Sequence, residues 1–138
     1  MSAYSLALFT TLLWGVSALF DKLTMVRMSP LPVLVLRSLC LTVGFVAVAM
    51  VTGRFAEVFH MDRRSLLYAV ISMSLGGFLG LSTYYLALKR GEVSLVTPIA
   101  GSYPLVTTVL AVLILQESLT PSRMLGTLLI IGGIFLLR

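Results

Sequence analysis

The charged side chains that interrupt or border long apolar runs are the first candidates for chemistry. Arg37 lies about two turns into the second run, so it either extends its guanidinium to the aqueous surface or contacts an anion in a cavity. Lys22 follows the first run, where it either lies at the membrane interface or serves as a coupling charge. Glu117 follows the fourth run, where it either interacts with the start of the next helix or exchanges a proton as a coupling group.

Aromatic side chains in the same runs could form the walls of a small-molecule cavity. Trp14 lies well inside the first run, away from the interfacial positions that tryptophan usually occupies in membranes. Tyr84 and Tyr85 lie near the end of the third run, where they either line a cavity or belong to an interfacial belt, and Tyr103 in the fourth run is a further candidate wall residue. Both interpretations require the runs to be membrane spans.

Composition identifies a lipid bilayer as the solvent of this chain. Hydrophobic residues make up 59% of its 138 residues, charged residues only 11%, and the mean hydropathy is +1.07. A soluble domain carries roughly 25% charged residues, so this chain could not cover a globule with polar surface. The sequence therefore predicts an all-α integral membrane protein in contact with lipid.

Soluble chemistry finds no support in the sequence. It contains no phosphate-binding loop and no His and Cys cluster with metal-ligand spacing; His60 lies alone in a loop and Cys40 is the only cysteine. The net charge of +5 is scattered over helix ends, where it meets lipid headgroups rather than nucleic acid. We therefore expect no enzyme activity, no cofactor, no metal and no nucleic-acid partner.

The spacing of charges predicts five spans in a single domain. Four runs reach the roughly 20 residues that a bilayer requires, and the fifth must use residues at its ends. Helix starts are marked by Ser29 before Pro30, by Thr120 before Pro121 and by Asp62. A signal peptide is the alternative for the first span, but no Lys or Arg precedes its apolar part. The predicted spans are residues 2–20, 31–52, 65–88, 93–115 and 121–138.

The fourth span contains the stretch TPIAGSYP, whose two prolines and glycine weaken a helix. A proline costs about 3 kcal/mol in an ordinary helix interior, so such breaks are tolerated in membranes where neighbouring helices or a water-filled cavity satisfy the backbone. The alternative is a kinked helix without a further role. The residues predicted to line a cavity are Pro98 and, on one face at helical spacing, Thr97, Gly101, Pro104 and Thr108.

Small residues at helical spacing predict where helices pack closely. The third span repeats them every four residues, at Ser72, Gly76 and Gly80, and the fifth carries Gly126 and Gly133. The expected role of these residues is helix packing rather than ligand binding.

Residues 84–137 resemble the second part of an EamA domain, the repeat unit of the drug/metabolite transporter superfamily, and the front half agrees. The resemblance covers essentially the whole chain. In the second part, the residues that carry the resemblance are Tyr84 with AL after it, Pro98, Pro104, Glu117, Thr120, and Gly126 with GG later in the same helix. In the front half they are LLWG at residues 12–15, Lys22 and Arg37.

This resemblance implies a secondary transporter or exporter of small polar or amphipathic metabolites, often amino acids. Most members carry two such repeats of inverted topology in ten helices, so this chain is predicted to form one half of a transporter. The related small multidrug resistance proteins couple protons through a carboxylate in their first span. Residues 2–20 contain no acidic side chain, so that mechanism is not supported here.

Positive charges are nearly balanced between the two sides of the predicted bundle, so neither orientation is strongly selected. Balanced charge and an odd number of spans predict an antiparallel homodimer of dual topology, or a pair with a related chain, in the cytoplasmic membrane of a prokaryote. The alternative is an accessory subunit of a hetero-oligomeric membrane complex, such as a lipid-linked sugar flippase. One side carries Arg54, Arg63, Arg64 and Arg123; the other carries Lys22, Arg27, Lys89, Arg90 and Arg138, with Arg37 as a sixth.

Overall fold

The computed structural model describes residues 2–137, and every regular element within them is helical, which confirms the all-α prediction. Contacts divide the chain into two compact units, Met1–Arg90 and Gly91–Arg138, which are described separately below. The first unit contains α1 (Ala3–Arg27), α2 (Pro30–Val51) and α3 (Arg63–Arg90), with a short 3-10 helix at Phe55–His60; the second contains α4 (Val93–Ala100), α5 (Tyr103–Leu115) and α6 (Pro121–Leu136).

Four segments are long and apolar enough to cross a membrane: α1, α2, α3 and the segment Val93–Leu115 that comprises α4 and α5. The apolar α6 is shorter, with 16 residues, and the predicted end of the fifth span at Arg138 lies outside the described residues. α1 continues to Arg27, past the predicted limit at residue 20, so Asp21 and Lys22 lie inside a helix. These helices fit one half of an inverted-repeat transporter.

Helix starts lie where the sequence predicts them. The Asp62 carboxylate accepts the backbone N–H groups of Arg64 and Ser65 at 3.0 and 3.1 Å, which caps α3. Hydrogen bonds from the Ser65 hydroxyl and backbone N–H lower the pKa of the Asp62 carboxyl below its usual value. Thr120 caps α6 by accepting the Arg123 N–H, whereas Ser29 occupies the cap position of α2 without a side-chain bond.

In the first unit, α3 changes its winding in the middle. Met73–Gly80 is π-helical, and α-helix resumes at Leu81. The last ten residues of α3, Leu81–Arg90, pack against both α1 and α2. The C-terminal end of α3 therefore brings the three helices of this unit together.

At the predicted packing glycines, the described residues place no neighbouring helix where a side chain would begin. A Cβ added at Gly76, Gly126 or Gly133 would find no neighbouring atom within 4 Å, and one at Gly80 would meet only the backbone of its own helix, at Leu75. The packing role of these glycines and of Ser72 thus stays a prediction, and it concerns surfaces that the described chain leaves open.

In the second unit, the fourth predicted span is interrupted at Gly101 and Ser102. Pro98 lies inside α4, whereas Pro104 lies in the first turn of α5, where its missing N–H costs little. The Gly101 N–H donates to the Thr97 carbonyl at 2.7 Å, and a Cβ at Gly101 would approach that oxygen to 3.0 Å. The tight turn at residue 101 therefore favours glycine.

Candidate functional site

The buried core of the first unit is small and lies where α1 and α2 meet the end of α3. Ala18 and Met25 contribute from α1, and Tyr85 and Leu88 from α3; these four are the buried hydrophobic residues among those described. At helical spacing Ala18, Asp21 and Met25 share one face of α1. This face carries an acidic side chain directly to the helix junction.

Asp21, Arg37 and Tyr85 form a closed hydrogen-bonded network at this junction, one residue from each helix. Arg37 Nη1 lies 3.1 Å from both Asp21 carboxylate oxygens. It also donates to the Tyr85 hydroxyl at 2.6 Å, and that hydroxyl donates to Asp21 Oδ1 at 2.7 Å. The Arg37 side chain is 34% exposed and the Asp21 side chain 17%. The network thus pairs two opposite charges within membrane-spanning helices, where an unpaired charge is costly.

Two lysines connect the ends of α1 and α3 reciprocally. Lys22 Nζ donates to the Leu88 carbonyl of α3 at 2.7 Å. Lys89 Nζ donates to the Met25 and Met28 carbonyls at the end of α1, at 2.7 and 3.1 Å. The last carbonyls of a helix have no partner within it and form its negative end. Each lysine therefore donates to unpaired carbonyls of the other helix and offsets their partial negative charge.

We expect Lys89→Met to lower the free energy of unfolding by about 1 kcal/mol, because two charge-assisted hydrogen bonds at a partly exposed site are lost. Thermal denaturation in detergent measures this change. Arg90→Met is the control, since it removes the same charge from the exposed neighbouring position. Equal shifts for both variants would mean that lost charge, and not the bonds to α1, sets the effect.

The structure places the sequence candidates of the first unit unequally. Arg37 is a member of the network, and Lys22 donates to the Leu88 carbonyl of α3. Tyr84 is half-buried, with its ring edge-on to Tyr85 at 5.9 Å between centroids. Trp14 is 60% exposed on α1. A substrate-wall role for Trp14 and Tyr84 stays a prediction.

Asp21 is absent from the sequence candidates, and the sequence offers Tyr85 only as a cavity-wall or belt residue, not as a member of a polar network. Ending the first span at residue 20 placed Asp21 outside it, although α1 includes it and brings a carboxylate into the site. The spacing of Ala18, Asp21 and Met25 was the available signal. For Tyr85 the signal was its three-residue spacing from Leu88 on one face of α3.

The candidates of the second unit separate into two places. Thr97, Pro98 and Gly101 lie at the interruption between α4 and α5, next to Pro104. Thr108 lines an open apolar cavity of about 290 Å³ between α5 and α6, and with Glu117 it also lines an adjoining cavity of about 520 Å³. Arg123 lines the larger cavity too. Coupling through Glu117 stays a prediction.

Metal ions are held in proteins by clusters of His, Cys, Asp and Glu side chains. Within residues 2–137, no group of three or more His, Cys, Asp or Glu side chains is placed to hold a metal ion. The exposed Cys40 takes part in no disulfide.

Four span-length apolar segments, with a charge pair between α1 and α2, define a multi-pass membrane protein. Residues 1–138 match the EamA-like transporter family, and the chain belongs to that family, which is part of the drug/metabolite transporter superfamily. An uncharacterized protein of Methanocaldococcus jannaschii is 32% identical over 136 residues, covering 99% of this chain and 96% of the relative. No solved structure matches the chain.

Proposed function

We propose that this protein is a secondary transporter of small metabolites that works by alternating access as an antiparallel pair of identical chains in the cytoplasmic membrane of a prokaryote. The observation that carries the proposal is the Asp21–Arg37–Tyr85 network. Charged side chains inside membrane helices face a bundle interior or a water-filled path, and they mark where solutes or ions pass. Arg37 is one-third exposed and fits such a position.

The exposed helix surfaces support a second copy. None of the described residues of α2 is buried, although Arg37 on this helix belongs to the network. The glycines of α3 and α6 likewise leave room for close approach by another helix. Together with the near balance of positive charge, these open surfaces favour a partner of opposite orientation.

Cysteine crosslinking of the purified chain in lipid vesicles tests the antiparallel pair. Leu66 and Leu86 are exposed on α3 and equally distant in sequence from Gly76. We would mix the single-cysteine variants Leu66→Cys and Leu86→Cys, each in a Cys40→Ser background. An antiparallel α3 pair centred on Gly76 joins the two variants, whereas a parallel pair joins Leu66→Cys to itself. Crosslinks of the second kind alone would contradict dual topology and favour an accessory subunit of a hetero-oligomeric complex.

Pro98→Ala should slow transport several-fold while leaving the unfolding temperature within a few degrees. The new N–H can bond one turn back in α4 and stiffen the helix next to the interruption at Gly101. Uptake of a labelled amino-acid mixture into vesicles and thermal denaturation give the two readouts. Pro104→Ala, at the start of α5, should have a smaller effect on uptake.

Pro32→Ala provides the matched control for the proline variants, because this proline lies in the first turn of α2, where its missing N–H is tolerated. Normal uptake by Pro98→Ala, at wild-type expression, would argue that the interruption is a packing feature only.

A further inference from the structure

The guanidinium of Arg37 has one edge occupied and one edge available. All of its hydrogen bonds to the described residues are made by Nη1, to Asp21 and Tyr85. Nε and Nη2 have no hydrogen-bond partner in residues 2–137, and no unpartnered side-chain nitrogen is buried there. Since the side chain is 34% exposed, the Nε–Nη2 edge is open to a ligand.

We propose that this edge binds an oxyanion of the substrate, a carboxylate or a phosphate group. Two N–H groups on one edge of a guanidinium match two oxygens of such a group, and the paired bonds add both strength and specificity. This inference rests on the proposed transport function, because it names the substrate class of that same site.

The surrounding residues hold the guanidinium in place before a ligand arrives. Asp21 and Tyr85 fix Nη1 from two other helices, and the Arg37 guanidinium carbon lies 5.9 Å from the centroid of the Tyr85 ring. A planar donor held by its neighbours loses little conformational freedom on binding. The network therefore presents the open edge in a defined direction.

The local charge favours an anion over a cation. Lys22, Arg37 and Lys89 contribute +3 and Asp21 contributes −1, which leaves +2 at the junction. Three of the roughly four lone-pair sites of the carboxylate are already used, because Oδ1 accepts from Arg37 and Tyr85 while Oδ2 accepts from Arg37. A cationic ligand would therefore find little of this group free and would be repelled by the net positive charge. A neutral ligand would lose the ionic part of each bond to the guanidinium.

Equilibrium binding of four probes that share a benzene ring tests the proposal: benzoate, phenylphosphonate, benzyl alcohol and benzylammonium. Calorimetric titration uses the full chain in phosphatidylcholine nanodiscs. We expect both oxyanions to bind at least tenfold more tightly than the alcohol or the ammonium. Arg37→Lys keeps the charge but loses the paired N–H groups of the guanidinium edge, so it should weaken oxyanion binding about tenfold. Arg27→Lys, at an exposed position, should leave oxyanion binding unchanged. Equal affinities across the four probes in the wild type would overturn the proposal without relying on any variant.

The source of the oxyanion is distinguished by the lipid. If the ligand is a soluble metabolite, replacing half of the phosphatidylcholine by phosphatidylglycerol should leave benzoate affinity unchanged. If a lipid headgroup occupies the edge, the same replacement should weaken benzoate binding in the wild type but not in Arg37→Lys. The network lies within one chain and no flux is measured. Probe binding without uptake would therefore refute the transport proposal alone, and uptake without oxyanion preference would refute this inference alone.

Discussion

Asp21→Asn should destabilise the first unit by about 1–3 kcal/mol and abolish uptake into vesicles. The substitution keeps the shape of the side chain but leaves the Arg37 guanidinium without its counter-ion at a helix junction. Breaking a fully buried pair costs about 3–5 kcal/mol, and the expected loss is smaller here because the Arg37 side chain is 34% exposed. Thermal denaturation in detergent and uptake of labelled amino acids measure the two effects.

A double-mutant cycle separates the ion pair from the individual side chains. Arg37→Gln in the Asp21→Asn background removes the unpaired charge, so stability should recover in part while uptake does not. Glu57→Gln is the matched control, because the Arg54–Glu57 pair is 3.9 Å long and about three-quarters exposed on both sides, and it should change stability by less than about 0.5 kcal/mol. Equal losses for Asp21→Asn and Glu57→Gln would mean that the network contributes no more than a surface pair.

Most helix positions and helix starts can be predicted from the apolar runs and capping residues of this sequence. Long apolar runs predict the helices, Asp62 and Thr120 mark their starts, and the TPIAGSYP stretch contains the interruption at Gly101. These signals are local, because apolar length, a capping side chain or a proline acts within one or two turns. Local signals also explain why the sequence places the end of the first apolar run at residue 20, whereas α1 continues to Arg27. A charged pair at residues 21 and 22 ends an apolar run without ending the helix, and both residues have partners on other helices.

Those partners lie far away in the sequence. Tyr85 is 64 residues from Asp21, and Leu88 is 66 residues from Lys22, which donates to its carbonyl. The spacing of residues within one helix does not indicate a contact with a helix so distant in the sequence. The sequence does not distinguish Tyr84 from Tyr85 for a related reason. Adjacent residues on a helix point about 100° apart, and only the packing of α3 on α1 and α2 decides which of them is buried. Arg37 was found because a charge in an apolar run is visible without its partner.

The second large effect is expected at Tyr85, which is fully buried and touches the other two members of the network. Tyr85→Ala should lower the free energy of unfolding by about 3 kcal/mol, because it leaves a cavity among the few buried residues of the unit. Tyr85→Phe keeps the ring and should cost about 1 kcal/mol, since Asp21 and Arg37 remain paired. Denaturation in mixed micelles measures both, with Tyr68→Ala, at a 68% exposed position of α3, as the control.

The comparison of the two Tyr85 variants decides what holds the helices together in a bilayer. Lipid is as apolar as a leucine side chain, so burial by itself provides little drive for helices to associate, and close packing and hydrogen bonds must provide it. If Tyr85→Phe costs as much as Tyr85→Ala, the hydroxyl network dominates and the ring serves to position it. If only Tyr85→Ala is costly, ring packing joins α3 to α1 and α2. In that case the Tyr85 hydroxyl is not needed to hold the helices together, and the stability of Asp21→Asn decides separately whether the charge pair of Asp21 and Arg37 is needed.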